Sequence, residues 1–237
     1  MPAFTAIISR RISTGPIAAL LVAAALGACS SNNNSGGGGA PVRIALIVGG
    51  DVSATVGTAI GPIVVRVTDV DTLPVEGVTV TFTVNGGATL SATSVTTDAR
   101  GEALTSVTLS HNVGPVTVTA NAAGVATGLT FQETGIADAP ATLLASGGNN
   151  QTEPRGSALA DPLTVMVTDQ YGNPVSGVTI TWTTTSGVLS VTSSRTSAGG
   201  TAQVLLTLPG VAGTSTVTAS AQIGGTLKTA TFTANAT

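Results

Sequence analysis

The sequence predicts an all-β protein built as two antiparallel β-sandwiches in tandem, and three observations carry that reading. The first is an internal repeat. Residues 62–83, PIVVRVTDVDTLPVEGVTVTFT, align without gaps on 162–183, PLTVMVTDQYGNPVSGVTITWT, with twelve of 22 positions identical. After a one-residue slip the register continues at an offset of 99, so that Ala103 meets Ala202 and Leu109 meets Leu208, and Phe131 finds Phe232 near the end of each copy. Such self-similarity marks repeated structural units. The second is a period of two: Val78, Val80, Phe82 and Val84 fall on one face, and Thr79, Thr81 and Thr83 on the other. The second copy repeats this with Val178, Ile180 and Trp182 against Thr179, Thr181 and Thr183. Strict alternation is the signature of strands with one buried and one wet face. The third is punctuation: Gly, Pro, Asn and Asp interrupt the apolar runs at intervals of about 8–12 residues, as in a sandwich.

Composition narrows the function classes. Of 237 residues 42% are hydrophobic, enough to fill a core, whereas charged residues are only 8%, against a usual ~25%. Thr and Ser supply the missing polarity. A net charge of −3 cannot neutralise a row of phosphates, which argues against nucleic acid as a partner. One Cys permits no intramolecular disulfide and no Cys/His zinc cluster.

In chain order, residues 1–28 read as a cleaved signal peptide: Arg10-Arg11 form a basic region, and Ile17 to Ala28 is an apolar run ending in small residues. That run is too short to cross a bilayer, which needs about 20 residues. Leu26-Gly27-Ala28-Cys29 resembles the lipobox of bacterial lipoproteins. The resemblance implies cleavage before Cys29 and its lipidation, hence a membrane partner through an anchor at Cys29; more than one acyl chain is needed for stable attachment. Ser30 after the Cys is similar to lipoproteins sent to the outer membrane. Residues 29–41 contain the low-complexity SSNNNSGGGGA, with nothing to bury, and read as a flexible linker. The first sandwich is expected over 42–135 and the second over 136–237. The short connection near Thr134–Pro140, which contains Pro140, predicts limited bending between them.

A family resemblance rests on two stretches. VTDQYGNPVSGVTITW at 167–182 resembles the opening of a bacterial immunoglobulin-like domain of the invasin/intimin type, and TTDARGEA at 96–103 is similar to that family's Thr-Asp-x-x-Gly-x-Ala turn. Each copy departs once: Thr72-Leu73 stand where the pattern prefers Gly-Asn, and Ser197-Ala198-Gly199-Gly200 replace Asp-x-x-Gly. The resemblance implies stalk or adhesion roles.

Chemistry is sparse. His111, the sole histidine, sits in SHNVGP between two expected strands, with no G-x-S-x-G elbow or partner acid in view, and reads as a solvated turn residue. No phosphate-cradling glycine loop occurs, so no cofactor is expected. Asp69, Asp71 and Asp98 are the weak candidates for calcium, which wants several carboxylates. Asp69 and Asp98 also occupy turn positions where Asp serves the backbone, and the second copy lacks partners for Asp71 and Asp98. Trp182 and Phe82 are expected as core anchors, leaving Tyr171 as the exposed aromatic.

The resulting expectation is a non-enzymatic, lipid-anchored envelope protein, a stalk or adhesion module with a protein or glycan partner at the cell surface or in the periplasm. The alternative is a periplasmic accessory subunit that binds another envelope protein by strand-edge pairing.

Overall fold

In a computed structural model, residues 39–237 are described; the expected signal peptide, Cys29 and most of the linker lie outside them. The described residues form strands and turns with no helix.

The first copy folds into β1 (Arg43–Val48), β2 (Ser53–Thr55), β3 (Ala59–Thr68), β4 (Thr79–Val84), β5 (Thr89–Leu90), β6 (Ser94–Thr96), β7 (Glu102–Thr108), β8 (Gly114–Ala122) and β9 (Leu129–Ile136). Two sheets result, ordered β1-β3-β7-β5 and β2-β9-β8-β4-β6. The second copy forms β10 (Thr142–Gly147), β11 (Gln151–Glu153), β12 (Leu163–Thr168), β13 (Thr179–Thr184), β14 (Val188–Leu189), β15 (Ser193–Arg195), β16 (Thr201–Val204), β17 (Leu206–Thr207), β18 (Gly213–Ile223) and β19 (Thr226–Ala236). Its sheets, β10-β12-β16 continued by β14-β17, and β11-β19-β18-β13-β15, reproduce the first topology.

The alternation read from sequence sets the faces. Val80 and Phe82 on β4, and Ile180 and Trp182 on β13, point into their cores, while the intervening threonines face solvent. Each copy packs its own apolar interior: Val65, Val67, Val80 and Phe82 belong to the first, and Leu163, Val165, Trp182 and Phe232 to the second.

One feature departs from the all-antiparallel expectation. β2 pairs with β9, and β11 with β19, in parallel. The cause is local: the first strand of each copy is bulged, at Leu46/Val48 and at Ala145/Gly147. Glycines with positive φ follow (Gly49, Gly50; Gly148), and a bulge of this kind bends a strand out of its sheet. The chain then continues in the same direction along the other sheet, beside the last strand, which runs the same way.

Each sandwich thus has an entry end, where its first strand starts and the turn after its third strand lies, and an exit end, where its last strand finishes. β9 ends at Ile136 and β10 begins at Thr142, so five residues connect the copies.

Candidate functional site

The turns at the entry ends are organised by aspartate. Asp69 Oδ1 accepts the backbone N–H groups of Asp71 (3.0 Å) and Leu73 (2.9 Å), and its Oδ2 accepts that of Gly39 at 2.8 Å. Asp169 does the same and more. Its Oδ1 accepts the N–H of Tyr171 (2.9 Å) and Asn173 (2.8 Å); its Oδ2 accepts the N–H of Asp138 (3.0 Å) and the Asn173 side-chain amide (2.8 Å). An acceptor-only carboxylate suits a cluster of amide donors. Each Asp ties its turn to the segment that leads into its own sandwich. The Gly39 amide holds the Asp69 carboxyl below its ordinary range, outweighing a counteracting desolvation, with Leu73 and Asp71 adding to it. At Asp169 burial alone would raise the value, but the donations from Asn173, Asp138 and Tyr171 overcome it and the net shift is downward.

The turn leading into β7 works similarly. Asp98 Oδ1 accepts the N–H of Glu102 and Arg100, both at 2.9 Å, and these bonds lower its pKa. In the second copy Ser197 takes the place of Asp98, and its Oγ reaches the Thr201 N–H only at 3.4 Å. Gly101 (φ +70°) and Gly200 (φ +73°) keep the turn's glycine because a Cβ there would lie 2.5 and 2.6 Å from the carbonyl oxygens of Val67 and Val167. The preceding threonines are buried staples that sequence reading passed over. Thr97 donates to Val75 O (2.7 Å) and accepts from Val78 N–H (2.9 Å), and Thr196 repeats both bonds with Val175 and Val178.

The metal candidates therefore carry turn duties. Asp69 spends both carboxylate oxygens on backbone amides and Asp98 spends its Oδ1 on two, and Asp71 lies on a different turn from Asp98. Among the described residues no three His, Cys, Asp or Glu side chains gather as a cation's ligands would.

The place where side chains of both copies converge is the junction. Asn173, buried at the entry end of the second sandwich, donates from its side-chain amide to His111 O at 2.7 Å and accepts the Val113 N–H at 3.2 Å. Both partners lie in the β7–β8 turn at the exit end of the first sandwich. The His111 and Tyr171 rings stack with centroids 4.1 Å apart and planes 20° apart. Gln170 Nε2 donates to Asp138 Oδ2 at 2.8 Å, bracing the connecting segment. Gly57 lies beneath the stack: a Cβ there would come within 2.8 Å of the His111 ring. This corrects the sequence expectation for His111. It is exposed and in a turn, but it is an interdomain contact rather than a merely solvated side chain. The period-two pattern says nothing about which turns meet, so Asn173 and His111 could not be paired from sequence.

A second feature missed from sequence is Glu133. It is 0% exposed; Oε2 accepts the Val52 N–H at 2.9 Å, and Oε1 is buried without a partner. The second copy has Ala234 at the equivalent inward position. The signal was available, since Phe131 and Glu133 are two residues apart and must share a face. Burial pushes the Glu133 carboxyl up, against the Val52 amide and with help from nearby Asp51. A carboxyl raised in the folded state holds its proton longer than in the unfolded chain. Its favourable contribution is therefore complete below the unfolded value, about 4.3, and is lost as pH rises through the folded one. Glu133→Gln should remove that loss, leaving the variant more stable than wild type on the alkaline side of the transition. Urea unfolding at several pH values between 4 and 8 measures it; parallel curves for both proteins would refute the assignment.

Together these elements define a tandem of immunoglobulin-like sandwiches joined by a polar clamp. The chain belongs to the bacterial Ig-like domain (group 1) family, whose model matches residues 44–134 and 149–235. Among solved structures it is similar to Yersinia pseudotuberculosis InvD, at 18% identity and TM-score 0.55, covering 82% of this chain and 57% of that one. It is also similar to the D0-D1 domain of intimin (25% identity, TM-score 0.35, 81% of this chain and 97% of that one). Invasin, a bacterial integrin-binding protein, matches at 26% identity and TM-score 0.37, over 81% of this chain and 39% of invasin.

Proposed function

We propose that the protein is a lipid-anchored, non-catalytic envelope module in which two Ig-like sandwiches form a stiff stalk that carries an interaction surface away from the membrane. Family membership supports the stalk or adhesion class. The single observation that carries the stiffness is Asn173, whose side chain is fixed by Asp169 on its own sandwich while it bonds His111 and Val113 of the other. A hinge needs a few residues free to change φ and ψ; here the connecting residue Asp138 is itself held by Asp169 and Gln170. The lipobox-like Leu26-Gly27-Ala28-Cys29 supports the anchor, and Cys29 is the residue that would carry it.

Small-angle scattering tests the stiffness. Wild type should give a narrow distribution of interdomain distances and Asn173→Ala a visibly broader one, with little change in the unfolding of either sandwich; a broad distribution for wild type would overturn it. Location is tested by digesting a C-terminal epitope tag on intact cells beside a periplasmic control. Loss of the tag while the control survives supports display and adhesion. Full protection favours the accessory-subunit reading, in which an open sheet edge such as β6 or β15 pairs with another envelope protein.

A further inference from the structure

The two entry ends are homologous, yet their surfaces differ in one respect. In the second sandwich the turn after β12 presents Gln170, Tyr171 and Asn173, all engaged by the first sandwich or by the connecting segment. In the first sandwich the same turn presents Val70 and Leu73, 78% and 56% exposed, with Asp71 between them. The backbone is the same: Asp69 closes the turn as Asp169 does, and Thr72 keeps the positive φ (65°) that Gly172 adopts in the other copy (88°). Polar clamp residues have thus been replaced by apolar ones on a turn whose geometry is retained.

The covalent chain indicates what lies against this end. Gly39, whose N–H is held 2.8 Å from Asp69 Oδ2, marks where the chain enters this same turn. Cys29 precedes it by ten residues, a span of at most about 35 Å even when fully extended. A tether that short holds the turn at high effective concentration next to whatever Cys29 is anchored in. A second copy stacked by its far end on this turn fits less well, because the ten-residue tether of the copy above would then have to reach past the whole sandwich pair below it.

We propose that the Val70–Leu73 turn is a membrane-contact surface, seating the first sandwich on the bilayer that holds the Cys29 lipid; this rests on the lipid-anchor reading above. Two apolar side chains flanking a carboxylate set the depth. Val70 and Leu73 enter the headgroup boundary, where an amphipathic surface settles, while Asp71 cannot be carried into hydrocarbon. The contact fixes the tilt of the stalk at its base, as the Asn173 clamp fixes it midway.

The test uses the full-length lipidated protein in vesicles of phosphatidylethanolamine and phosphatidylglycerol. Leu73→Cys carries an environment-sensitive fluorophore, and Val211→Cys, at the exit end of the second sandwich, is the control. Nitroxide lipids labelled at the headgroup should quench the probe at 73 severalfold more than that at 211, with a blue-shifted emission, and deep acyl nitroxides should quench neither. Equal headgroup quenching at both sites, or a blue shift at 73 without quenching because a second copy covers it, overturns the proposal. Intact mass separates the two readings. An unlipidated Cys29 overturns the anchor and the contact together, whereas a lipidated chain with no preferential quenching at 73 overturns the contact alone. Val70→Asp combined with Leu73→Asp should abolish the quenching difference at a neighbouring label on Thr72→Cys without altering the unfolding of the sandwich.

Discussion

Trp182→Ala should remove about 3–5 kcal/mol from the second sandwich, the range for deleting a fully buried large aromatic. Trp182 is 1% exposed on β13, its ring centroid 6.1 Å from that of Phe232 in a tilted arrangement, and its Nε1 donates to Ser194 Oγ at 2.9 Å. Truncation therefore opens a cavity between the two sheets and leaves Ser194 without that donor. Because each sandwich has its own interior, urea unfolding followed by circular dichroism should split into two transitions, with the earlier one belonging to the second copy. Trp182→Phe places the first copy's solution, Phe82, in the second, and should cost markedly less. A single transition near the wild-type midpoint in the Ala variant would mean that Trp182 is not the anchor of that interior.

Asp169→Ala should be nearly as damaging, about 3 kcal/mol, because it takes the acceptor from four amide donors, two of them on the buried Asn173. It should also loosen the junction, since Asn173 loses the partner that aims its amide at His111. The pH dependence gives an independent check. The Asp169 carboxyl is lowered in the folded state, so its contribution is present above the unfolded value of about 3.9. It is lost as pH falls through the folded one. Asp69 and Asp98 are shifted the same way. Wild type should lose stability on acidification below about pH 4, and Asp169→Ala should show a shallower loss. Glu133 acts in the opposite sense at higher pH, which separates the two effects along the pH axis. An unchanged acid limb in the variant, or interdomain distances as narrow as wild type, would contradict the role given to Asp169.

The parts of the fold legible in the sequence were those that repeat on a short period. Val80 and Phe82 inside with Thr79 and Thr81 outside follows from strand geometry alone, and the same pattern 100 residues later identifies the second copy. The aspartates were legible as turn residues because an Asx side chain reaches amides two to four residues on, a purely local event. The bulged first strands, with their parallel partners β9 and β19, were not legible: a bulge depends on where a strand must leave its sheet. Glu133 shares the inward face of Phe131 by strand period, but a carboxylate is the residue type least expected there. The turn that holds His111 is legible locally, whereas its contacts with Tyr171 and Asn173 are not.

The class of the protein can thus be read from the chain alone: its all-β character, its duplication, its inward faces, its turn chemistry and its family resemblance. These are all consequences of interactions within about ten residues or of direct comparison between copies. It took the packed ends of the two sandwiches to show that Asn173 reaches across to His111 and Val113 and that Tyr171 stacks on His111. Those facts join residues some 60 positions apart. They depend on how the ends of two finished sandwiches meet, and no local periodicity encodes that.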